Sequence, residues 1–135
     1  MTDVTKQTAI ALLNAAYNAK ANSLAIYILT AEPYIAPGQE SLLAFVSNIA
    51  KSDTELAEKL CQAITSLGGM AFQTTPDPFF AELNYLSIDY LANLLRTRMQ
   101  AELQSFEAAA SEVSGFLEAE EALSLLCSTT KKLLG

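Results

Sequence analysis

The residues able to do chemistry are few, and they are charged rather than nucleophilic. The chain has no histidine, which removes the commonest general base, the usual triads and most zinc and iron sites. Asp53 interrupts an apolar line made by Leu42, Phe45, Ile49, Leu56, Leu60, Ile64 and Leu67. Lys20 falls on another, with Leu13, Tyr17, Leu24 and Ile28. Three readings of Asp53 stand: a carboxylate rotated to the edge and solvated, a buried carboxylate paired with a cation, or a metal ligand. Burial without a partner would cost several kcal/mol or keep the group protonated. The pairing reading names Lys20 as the cation. Glu102 or Arg98 would join from a later helix, forming a buried polar layer that fixes register more than it adds stability.

Other candidates read as structural. Serines, threonines and cysteines lack a histidine to activate them, and Lys20 as a base would need a strongly depressed pKa. Gly68-Gly69 follows a helix rather than preceding one, so no phosphate-binding loop is expected. Tyr17, Tyr27 and Tyr90 read as core residues with hydroxyls at the edge. Outside a polar layer, Glu102 and Glu107 are surface acids, and Arg98 and Glu102 form an ordinary i,i+4 pair. Cys61 and Cys127 fall in helical patterns and read as reduced, largely buried thiols. No catalytic residue, cofactor or metal is expected.

Four helices are needed to position these side chains. The first is capped at Asp3 or Thr5 and runs to about Thr30; Pro33, Pro37 and Gly38 then supply a short connection. The second begins at residues 39–41 and stops at Gly68-Gly69. The third starts at Ser87 as N-cap, with Asp89 in its first turn, and carries Ile88, Leu91, Leu95, Met99, Leu103, Phe106, Ala110 and Val113. Ser114-Gly115 breaks it. The fourth runs from about Leu117 with Ala122, Leu125, Leu126, Thr129 and Leu133 facing inward, acids at its start and Lys131 and Lys132 at its end.

Residues 68–85 show no sustained helical pattern, and their length is informative. A second helix of about 27 residues is roughly 40 Å long, and about 17 extended residues reach roughly 55 Å. The connection can therefore cross the whole bundle and leave the third helix parallel to the second. Met70, Phe72, Phe79 and Phe80 are expected to pack along its side. With short loops elsewhere, the pattern predicts an all-α, ferritin-like four-helix bundle, up-down with one long crossover between helices 2 and 3.

The residues also resemble the ferritin-like superfamily. The second helix reads Asp53-Thr54-Glu55-Leu56, Ala57-Glu58-Lys59-Leu60 and Leu67-Gly68-Gly69, similar to the family's Glu-x-x-His, Ala-Glu-x-Leu and Leu-Gly-Gly. Residues 22–27 look like its first helix and residues 86–91 like its third-helix entry. The resemblance implies a di-iron centre built from about four carboxylates and two histidines. Here Leu56 holds the histidine position, and counting back two turns from Tyr27 and Phe106 reaches Lys20 (or Ala21) and Met99 instead of glutamates.

The 135 residues make one domain, 1–135, large enough for a real core. A net charge of -7 and a pI near 4.4 disfavour nucleic acid and anionic membrane, and the mainly apolar run 21–31 is too short to span a bilayer. A cytoplasmic protein is expected. The leading expectation for function is a non-catalytic interaction or structural module, a homodimer contacting through helix 1 or Phe79-Phe80, with an unidentified protein partner also open. The alternatives are an iron- or manganese-binding protein or oxidoreductase using Asp53, Glu102 and other carboxylates, and a carrier of an apolar ligand.

Overall fold

The structure is a computed structural model and describes residues 5–135; Asp3 lies outside them. Among the described residues there are five α-helices, α1 (Lys6–Ala21), α2 (Leu24–Thr30), α3 (Glu40–Ser66), α4 (Ile88–Glu112) and α5 (Leu117–Leu134). A 3-10 turn, Pro78–Leu83, lies in the crossover, and among the described residues the only β pairing is an isolated bridge. Among the described residues no helix is long and apolar enough to cross a membrane.

The expected first helix is two helices. Its predicted start holds, because the Thr5 hydroxyl accepts from the Thr8 N–H. It breaks at Asn22-Ser23, where Ser23 turns extended and caps α2 by accepting from Ile26 N–H. Asparagine and serine side chains bond nearby backbone and so compete with a continuous helix. Periodicity alone does not register that competition.

α3 ends in a Schellman motif: Gly69 N–H donates to Ile64 C=O and Gly68 N–H to Thr65 C=O, with Gly68 left-handed at φ +84°. Gly69 packs closely for a different reason. A Cβ there would lie 2.7 Å from Ile10 of α1.

The crossover then runs back along α1. Beyond it, Tyr34 N–H donates to Leu86 C=O and Ile88 N–H to Tyr34 C=O, tying the α2–α3 connection to the entry of α4. α3 and α4 therefore start at the same end and lie parallel. The hydrophobic interior follows that arrangement in two halves. One contains Val46, Ile49, Ile88, Leu91 and Leu95; the other contains Leu60, Ile64, Phe106, Val113 and Leu123.

Several expected core positions are not in it. Met70, Phe72 and Phe79 are exposed and only Phe80 is buried, because the crossover rests on polar contacts to α1 and not on its aromatic side chains. Tyr90 is exposed, one position from the buried Leu91 on α4's inner face. Leu125 is exposed too: α5 is rotated so that Leu123, Leu126, Cys127 and Thr130 face inward. Tyr17 and Tyr27 are half-buried. Both cysteines are free, Cys61 half-buried and Cys127 buried.

Candidate functional site

The two halves of the core are separated by a charged layer. Along α1 and into α2 it falls between Ala16 and Leu24, on α3 between Ala50 and Leu56, and on α4 between Met99 and Phe106. The residues in those gaps are Lys20, Asp53 and Glu102, and the structure brings all three together. Lys20 Nζ lies 3.2 Å from Asp53 Oδ1 and 3.4 Å from Glu102 Oε1. Lys20 is only 2% exposed and Asp53 4%.

Each side chain is placed by its local structure. Lys20 stands in the last turn of α1, where the helix dipole favours a cation; the break at Asn22-Ser23 is what makes that turn the last. Its ammonium also lies 5.4 Å from the centre of the Phe106 ring. The same break turns Ser23 inward, and its hydroxyl donates to Asp53 Oδ2 at 2.7 Å. Asp53 Oδ1 faces the ammonium without hydrogen-bond geometry and has no hydrogen-bond partner among the described residues.

Glu102 keeps one side open to solvent. It receives Lys20 on Oε1 and, at 3.6 Å on Oε2, the Arg98 guanidinium one turn earlier on α4. Arg98 reaches on to Asp77 in the crossover at 3.8 Å and stacks over the Phe80 ring at 5.2 Å. The result is a continuous chain Ser23, Asp53, Lys20, Glu102, Arg98, Asp77. Glu107 lies outside it, paired at the surface with Lys131.

Burial holds the carboxyls of Asp53 and Glu102 above their ordinary values: desolvation of the charged form outweighs the attraction of Lys20 and, at Asp53, the Ser23 hydrogen bond. Two carboxylates sharing one ammonium in a largely buried layer form a site that favours an added positive charge or a proton. No cluster of three or more histidine, cysteine, aspartate or glutamate side chains able to hold a metal ion occurs among the described residues.

A second polar array went unnoticed in the sequence. Asn14 and Asn18 on α1 and Asn22 at its C-terminal cap lie one turn apart and face the crossover. Asn14 donates to Met70 C=O and accepts from Phe72 N–H; Asn18 donates to Phe72 C=O and accepts from Thr74 N–H; Asn22 donates to Thr74 C=O. Four helical residues rise about 6 Å and two extended residues about 6.6 Å, so each carboxamide meets the next peptide unit of the same strand edge. The legible signal was asparagine, a poor helix former, repeated at i, i+4 and i+8.

No family model, curated protein or solved structure matches this chain.

Proposed function

We propose that this chain is a non-catalytic, ferritin-like helical module that self-associates and acts through protein contacts, and that Lys20 fills the cationic place a metal would take in a metal-dependent relative. The observation that carries the reading is the Lys20 ammonium set between the Asp53 and Glu102 carboxylates at the boundary of the two core halves. An internal ammonium supplies the positive charge such a layer needs and leaves no open coordination position. Lys20 also stands near the position that the family pattern gives to the first-helix glutamate. The grooves found among the described residues lie open at the surface and do not favour an apolar-ligand carrier.

The alternative, an iron or manganese protein using Asp53 and Glu102, requires Lys20 to withdraw. Elemental analysis of protein purified without chelator, followed by titration with ferrous iron and manganese, separates the two. The proposal expects no stoichiometric metal. Near-stoichiometric iron or manganese that is lost in Asp53→Ala would overturn it.

A further inference from the structure

The asparagine ladder uses one edge of the crossover strand and fixes where the other edge points. Met70 C=O, both polar groups of Phe72 and both of Thr74 face α1, a run of contacts that only an extended chain can make. In such a chain, successive residues direct their N–H and C=O to opposite edges. The backbone groups of Ala71 and Gln73 therefore point away from α1, and none of them is bonded within the described residues. Beside this edge Met70 is 78% exposed and Phe72 58%.

An open edge of this kind is commonly blunted by charge, and this one is not. Residues 61–76 contain no charged side chain, nor do residues 7–19 of the helix beneath. In a chain of net charge -7, two copies repel over most approaches; this strand and residues 7–19 beneath it carry no charge of their own, Asp77 and Arg98 lying beside its Thr74 end, and here copies can meet. The chemistry complementary to a bare strand edge is another strand, and a second copy carries one with the same exposed phenylalanine.

We infer that the outer edge of residues 70–74 pairs with the same segment of a second copy, antiparallel about a two-fold axis through Phe72. In this register Ala71 and Gln73 of each chain exchange hydrogen bonds with Gln73 and Ala71 of the other. The two Phe72 side chains meet as the close, non-hydrogen-bonded pair. Pro76 limits the strand at one end and Gly69 at the other. So short an edge makes a small interface, and the dimer is weak and concentration-dependent. The inference rests on the self-association proposed above and assigns its surface.

Sedimentation over a wide concentration range tests it, together with a disulfide trap. The parent is expected to dimerise reversibly. Phe72→Glu, which sets two carboxylates face to face, and Gln73→Pro, which removes an outward N–H, should each weaken the dimer by about tenfold or more while circular dichroism stays helical. In a Cys61→Ser, Cys127→Ser background, Phe72→Cys should form an intermolecular disulfide on mild oxidation, since close-pair Cα atoms about 4.5 Å apart are within disulfide range. Gln104→Cys on α4 should not. A dimer that survives both strand variants and gives no Phe72→Cys cross-link would overturn this edge alone and leave self-association standing. A parent that stays monomeric throughout would overturn both.

Discussion

Lys20→Met tests the charged layer most directly, because methionine keeps most of the apolar stem and removes only the ammonium. At 3.2 and 3.4 Å, Coulomb's law with an effective dielectric of about 20 gives each contact about 5 kcal/mol of gross attraction. Desolvation of three ions, several kcal/mol apiece, cancels much of that in the intact protein. In the variant the attraction disappears and the desolvation of Asp53 and Glu102 remains. The expected loss at neutral pH is about 3–5 kcal/mol, which for a domain of this size lowers the thermal midpoint by roughly 10–20 °C.

The pH dependence distinguishes this cause from lost packing. Without Lys20, the already raised pKa values of Asp53 and Glu102 rise further. A carboxyl whose folded pKa lies above its unfolded value binds more protons when folded. Its contribution is complete below the ordinary values of 3.8 and 4.5 and is lost as pH rises through the folded value. The deficit of Lys20→Met should therefore be largest at neutral pH and shrink on acidification toward about pH 4. Urea unfolding of both proteins across that range measures it. A neutral-pH deficit below about 1 kcal/mol, or one that acid leaves unchanged, would show that the pocket is solvated and refute the reasoning.

Three further outcomes follow from the same geometry. Ser23→Ala removes both the α2 cap and the 2.7 Å bond to Asp53, and should cost about 2–3 kcal/mol, measured by urea unfolding. Asn18→Ala deletes the central rung of the ladder and should cost about 1–2 kcal/mol; amide exchange should accelerate at Thr74 more than in α3. The triple variant Lys20→Met, Asp53→Val, Glu102→Met should hold its stability or gain about 1–4 kcal/mol, in contrast with the single Lys20→Met.

The sequence revealed helices better than it revealed where they stop and what they rest on. α3 and α4 are long, strongly periodic and closed by unambiguous signals, a double glycine and a capping serine, so their extents were legible. The break inside the first helix was not, because the local Ser23 cap on Ile26 is reinforced by side-chain bonds to distant partners, Ser23 to Asp53 and Asn22 to Thr74. The crossover's span was readable from its length, but its attachment was not. Exposed Phe72 and Met70 show that apolar content is a poor guide where carboxamides hold the backbone. Lys20 and Asp53 stood out because each falls on an apolar line, and that conflict between residue type and position is visible without a structure; Glu102 read as a surface acid unless a polar layer called for it.

A charged layer of this composition discriminates between registers in a way the apolar halves cannot. Both halves are rich in alanine and leucine, which would tolerate a slip of one helical turn with modest repacking. A slip of α4 by four residues in one direction would bring Arg98 against the buried Lys20, and in the other would offer Phe106 in place of Glu102. A slip of α3 would replace Asp53 by Ile49 or Ala57. Each leaves a desolvated charge unpaired or opposed, costing several kcal/mol. Because the chain from Ser23 to Asp77 touches α1, α2, α3, α4 and the crossover, one misplaced element disturbs the rest. The crossover's register on α1 is set separately by the asparagines, which accept only a strand offset by two residues per helical turn. The charged layer therefore specifies the helix alignment, and the ladder presents the uncharged strand edge on that aligned framework.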